Sequence, residues 1–128
     1  MGKDALHKAA YNGNLESVKE ILRENPDPDA RDSSGGTALH AAMFQDNMEI
    51  VLLLLDYGLD PNAIGPRNGY SPLHDAVWGE NLEAVKILLA RGARADVKAK
   101  DGLTPYAKAG KEMKKDIVAY FESKGITV

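Results

Sequence analysis

Apolar residues return along this chain in a fixed rhythm. Val18, Ile21 and Leu22 are spaced i, i+3, i+4, and the same spacing recurs at Val51/Leu54/Leu55, at Val85/Leu88/Leu89 and, shortened, at Val118/Phe121. That rhythm predicts four helices, each with one buried face. A shorter helix is predicted ahead of each. It begins after Asp4, Thr37, Ser71 or Thr104, short oxygen-bearing side chains suited to an N-cap. Ala5, Ala38, Pro72 and Pro105 come next, and proline suits the first helical position. Small residues follow at Ala9/Ala10, Ala41/Ala42, Ala76 and Ala107/Ala109, where they let neighbouring helices approach closely. Asn14, Asn47 and Asn81 are expected to cap the second helices, with Glu16, Glu49, Glu83 and Asp116 favouring the dipole in the first turns. Gly58, Gly92 and Gly125 are expected as left-handed helix ends. The stretches 25–36 and 60–69, rich in Pro, Gly, Asn and Asp, read as turning connections.

The rhythm is an internal repeat. "SPLHDAVWGENLEAVKILLARGA" (71–93) echoes "TALHAAMFQDNMEIVLLLLDYGL" (37–59) and "DALHKAAYNGNLESVKEILRENP" (4–26), with a fainter copy in "TPYAKAGKEMKKDIVAYFESKGI" (104–126). A period of 33–34 residues with a Leu-His-x-Ala signature resembles the ankyrin repeat, whose T-P-L-H-x-A core stands here as Thr37–Ala42 and Ser71–Ala76. The resemblance implies an all-α solenoid of helix-turn-helix units with projecting hairpin-like loops. It also implies one domain over 1–128, with repeats at approximately 1–31, 32–65, 66–98 and 99–128. One such unit cannot bury its own apolar face, whereas about three or more stacked units can.

Several positions depart from the family pattern. The glycine between paired helices survives only as Gly13; Asp46, Glu80 and Met113 replace it, so Asn47 and Asn81 are expected to supply the positive φ. Gly110 weakens the last short helix. Lys108, Lys111, Lys114 and Lys115 suggest a soluble outer face on the last copy. These irregularities favour a natural, drifted array over an idealised consensus design.

Composition narrows the function. Formal charge is −6 over residues 1–64, zero over 65–97 and +3 over 98–128, too dilute for a nucleic-acid footprint. The chain contains no cysteine, which excludes disulfides and thiolate metal sites. The aliphatic run 50–55 falls far short of the ~20 residues of a membrane span. Met1-Gly2 opens like a myristoylation signal, but Leu6 stands where Ser or Thr is needed. The expectation is a cytoplasmic protein, monomeric alone, with no cofactor.

His74-Asp75 next to Trp78 looks like a fragment of an active site. His7, His40 and His74 share one register, however, and adjacent helical residues do not face each other. In the ankyrin family this histidine bridges backbone groups and the capping hydroxyl, so a structural role is expected. Stacked copies also lie about 10 Å apart, too far to share one metal. No phosphate-binding loop, nucleophile elbow or serine with a matching base is found, so no enzyme is expected.

Five residues after each motif leucine stand Tyr11, Phe44 and Trp78, with Lys111 in the same place after Tyr106. By resemblance this register faces the concave groove beneath the loops. Aromatic side chains dominate binding hot spots, which points to a partner protein. The alternative is that the rings fill gaps between repeats. Gln45, Arg67, Asn68, Tyr70, Lys100 and Leu103 extend the candidate surface, and Arg31, Arg67, Lys98 and Lys100 are expected to steer the partner. The expected function is protein recognition through the concave face, as inhibitor or adaptor. A scaffold without a dedicated partner, engineered or purely structural, is the rival reading.

Overall fold

The structure is a computed structural model that describes residues 4–128; the Met1-Gly2 motif lies outside the described residues. Its helices, among the described residues, are α1 (Ala5–Tyr11), α2 (Leu15–Leu22), α3 (Ala38–Ala42), α4 (Met48–Tyr57), α5 (Pro72–Trp78), α6 (Leu82–Ala90), α7 (Pro105–Lys111) and α8 (Lys115–Ser123). They form four antiparallel pairs. First helices stack on first helices (α1, α3, α5, α7) and second on second (α2, α4, α6, α8). No strand occurs among the described residues. The fold is thus the all-helical ankyrin-type solenoid that the repeat implied.

One core runs along the stack. The motif leucines Leu6, Leu39 and Leu73 are buried, as is the row Ile21, Leu54, Leu88 and Phe121 from the second helices. Alanines at 10, 42, 76 and 109 are fully buried between layers, where a larger side chain would push the helices apart. Polar groups also cross between layers. The Tyr57 hydroxyl donates to Pro26 O at 2.6 Å, and Asn81 Nδ2 donates to Met43 O and Gln45 O, both at 3.0 Å.

Capping chemistry decides where the helices start. Thr37, Ser71 and Thr104 accept from the backbone N–H of His40, His74 and Ala107. Asn14, Asn47 and Asn81 accept from Ser17, Glu49 and Ala84. Asp4 departs from expectation. It occupies the cap position of α1 without a side-chain cap bond, and its Oδ1 is buried without a partner. The expected positive φ at the asparagines is also corrected. Asn47 and Asn81 have φ of −87° and −101°, while Glu80 and Met113 adopt +55° and +59°. The residue in the glycine's place takes the left-handed conformation at Gly13, Glu80 and Met113, but not at Asp46. Gly58, Gly92 and Gly125 have positive φ, as expected.

The connections fold into tight projecting turns. Gly35 N–H bonds Asp32 O, Gly69 N–H bonds Gly65 O and Gly102 N–H bonds Ala99 O. Lys100 N–H then reaches Asn68 O at 3.0 Å, laying the third turn against the second. Gly69 is required there. Its φ is +74°, and a Cβ on it would lie 2.9 Å from the Lys100 nitrogen.

Candidate functional site

The three histidines belong to the frame. His40 Nδ1 accepts the Thr37 N–H at 3.1 Å and His74 Nδ1 accepts the Ser71 N–H at 3.2 Å. Each Nε2 therefore carries the proton and donates across the layer, to Tyr70 O at 3.0 Å and Leu103 O at 2.9 Å. Burial holds both imidazoles below their ordinary value, so they stay neutral. His7 Nε2 lies 3.1 Å from both Ala30 O and Gly36 O, but its Nδ1 has no partner, because Asp4 does not close the cap. Among the described residues no cluster of potential ligands is arranged to hold a metal ion, and no helix is long and apolar enough to cross a membrane.

The aromatic register does line up. Tyr11 ends α1, Phe44 follows α3 and Trp78 ends α5. Their ring centroids are 6.4 Å apart for Tyr11–Phe44 and 5.6 Å for Phe44–Trp78, the latter edge to face. All three are solvent-exposed, at 57%, 37% and 56% of their surface respectively. Gly79 makes the row possible, since a Cβ there would sit 3.1 Å from the Phe44 ring and 3.0 Å from Met43 O. Tyr70 joins from the second turn. It stacks on His74 at 5.2 Å and meets Trp78 edge to face at 6.4 Å.

Tyr11, Phe44 and Trp78 wall a groove of about 320 Å³, bordered also by Asp32, Ala41, Arg67, Asn68 and Asp75. The groove follows from the x position of Leu-His-x-Ala. That position holds Lys8, Ala41, Asp75 and Lys108 in successive layers, and the small Ala41 leaves the space that Asp75 borders. Asp75 is only 8% exposed. Burial pushes its carboxyl up to about 7, against the opposing pull of the Lys108 charge. Among the described residues no hydrogen bond or ion pair holds this carboxylate.

The remaining predicted site residues divide. Arg67 is exposed at the rim. Lys111 is exposed at the end of α7, beyond the aromatic row. Gln45 is tied into its own turn, donating to Ala42 O and Asn47 O. Asn68 accepts from Tyr70 N–H, Leu103 O receives the His74 bond, and Lys100 Nζ donates to Pro66 O at 2.5 Å. Arg31 bridges Gly35 O and Ile64 O, both at 2.8 Å, and Lys98 is exposed. Lys108 corrects the idea of a soluble lysine face on the last copy. It is 4% exposed, bonds Glu112 and the Tyr70 hydroxyl, and lies 4.7 Å from the Tyr70 ring and 5.9 Å from the Trp78 ring. Asp75 is a groove residue that sequence reasoning missed; the x position it shares with Ala41 and the buried Lys108 was the available signal.

The ankyrin-repeats family model matches residues 6–101 in three copies. The chain is 32% identical to the cyclin-dependent kinase 4 inhibitor B of Rattus norvegicus over 95% of its length and 94% of that protein's. Identity to the inhibitor of the same name from Homo sapiens is 29%, over 94% and 86% of the two lengths. It is also 32% identical over 95% of its length to the tyrosine-protein kinase HTK16 of Hydra vulgaris, but spans only 16% of that protein. An ankyrin repeat-containing protein of Schizosaccharomyces pombe is 42% identical over 39% of the chain, which spans 24% of that relative. With the motif, the stacked helix pairs and the family model in agreement, the chain belongs to the ankyrin-repeat family.

Proposed function

We propose that this protein binds another protein through the groove walled by Tyr11, Phe44 and Trp78, and acts by occupying that partner's surface. The observation that carries the reading is the exposure of three touching aromatic rings in one row, in a chain with only eight aromatic residues. Ankyrin repeats are protein–protein interaction modules, and two relatives aligned over most of their length are named as kinase inhibitors. That naming favours the inhibitor mode over an adaptor. The groove is held by stacked helices, so little ordering cost opposes binding. We read the chain as one domain with repeats dividing near 31, 65 and 98, inside the cell and without enzymatic activity of its own.

The test is the double substitution Phe44→Ala/Trp78→Ala, with stability and partner capture measured together. Both rings are substantially exposed, so the unfolding free energy should fall by no more than about 2 kcal/mol, while capture of the parent's specific partner is lost. Undiminished capture by the double variant rules out the aromatic face.

A further inference from the structure

The Asp75 carboxylate has no partner inside the molecule and borders the groove next to the aromatic row. We propose that the groove receives an arginine side chain of the partner, its guanidinium lying against the Phe44 and Trp78 rings and paired with Asp75. The inference rests on the concave-face reading and specifies what that face recognises.

The other buried and half-buried charges around Asp75 are already committed. Lys108, on the neighbouring α7, bonds Glu112 and the Tyr70 hydroxyl and makes no ion pair with Asp75. Asp32 Oδ1 accepts from Ser34 N–H, the Ser34 hydroxyl and Gly36 N–H, at 2.9, 2.6 and 3.1 Å. His40 and His74 are neutral and fully bonded. Arg67 makes no ion pair but stands exposed at the rim, so Asp75 is the buried charge of the groove left without a partner. A buried carboxylate without a partner is unfavourable in the free protein, and an incoming cation relieves it. Flanking aromatic faces attract the same cation through their quadrupoles. Guanidinium suits both features better than ammonium, because its planar fork pairs with a carboxylate while its face stacks on a ring. Residues 1–64, which carry −6 and supply Tyr11, Asp32 and Phe44 to the groove, draw a basic segment toward it.

The probes are N-acetyl-argininamide, its citrulline counterpart (a neutral isostere) and N-acetyl-lysinamide. Each is titrated into the intact protein at pH 8 while the emission of Trp78, the only tryptophan, is followed. The expected result is a saturable millimolar response to the arginine probe, at least ~10-fold weaker in Asp75→Asn and in Asp75→Ala, and none to the citrulline probe. Equal responses from the parent and both variants, or from the arginine and citrulline probes, overturn the proposal. Tighter binding of the lysine probe overturns the guanidinium assignment. Partner capture separates the two readings. Loss in Phe44→Ala/Trp78→Ala but retention in Asp75→Asn overturns the arginine socket alone. Retention in the double variant overturns the concave-face reading and the arginine socket with it.

Discussion

Replacing Asp75 by asparagine should stabilise the free protein, and by an amount that grows with pH. The carboxyl is held at about 7 against an ordinary 3.8, chiefly by burial, with the Lys108 charge pulling the other way. Its folded-state affinity for a proton is thus raised by roughly three decades, each worth about 1.4 kcal/mol. Well below pH 4 the group is protonated in both folded and unfolded chains and contributes no penalty. Between pH 4 and pH 7 the unfolded chain gives up the proton first, so the native state loses stability as pH rises, until both are ionised. The whole loss is about 4 kcal/mol, reduced to the extent that water in the groove solvates the carboxylate. Asparagine has nearly the same shape and never ionises. It should gain roughly 1–3 kcal/mol at pH 8, allowing for its own unpaired amide, and well under half as much at pH 4.5. Urea unfolding of both proteins at several pH values measures the difference. His40 and His74 titrate in both proteins and cancel from it. A difference that stays constant from pH 4.5 to 8, or a variant less stable at pH 8, refutes the account of Asp75 as a buried unpaired acid.

Four further outcomes follow from the frame. His74→Ala should cost about 2 kcal/mol, because it leaves Leu103 O and the Ser71 N–H unpaired in a buried layer, and thermal or urea melts will show it. The lowered proton affinity of His40 and His74 has the opposite sign to Asp75: their contribution is whole above pH 6.5 and is lost as pH falls below it, which unfolding of the Asp75→Asn protein will display most cleanly. Met113→Gly should stabilise by about 1 kcal/mol in the same melts, since Met113 is 73% exposed and held at φ +59°. Gly69→Ala should destabilise by at least about 1 kcal/mol, since both its positive φ and the nearby Lys100 nitrogen oppose a side chain.

Much of this molecule was legible because its information is local and repeated. Helix spacing, caps at Thr37, Ser71 and Thr104, and the 33–34-residue period each act within one unit, so reading them four times over made the architecture plain. The same echo removed His74 from suspicion and drew attention to Trp78. The shared register also aligns Tyr11, Phe44 and Trp78 within the sequence itself. Failures arose where one unit meets another. Asp4 has the chemistry of a cap but not the backbone geometry, with φ −101° and ψ 16° in place of the extended conformation of Thr37, Ser71 and Thr104. The left-handed turns fell on Glu80 and Met113 because packing of helix pairs outweighs a strain of order 1 kcal/mol.

The groove itself was decided by tertiary structure. Ala41, Asp75 and Lys108 are equivalent letters in a repeat, yet one makes space, one is left as an unpaired acid and one is buried under an aromatic ring. Lys108 is withdrawn from solvent by Tyr70, 38 residues away, and Asp75 is left alone because that lysine turns to Glu112 instead. Burial and charge pairing are properties of neighbours in space. The sequence alone could align three aromatic residues in one register; only the stacking of its layers placed an unpaired carboxylate beside them.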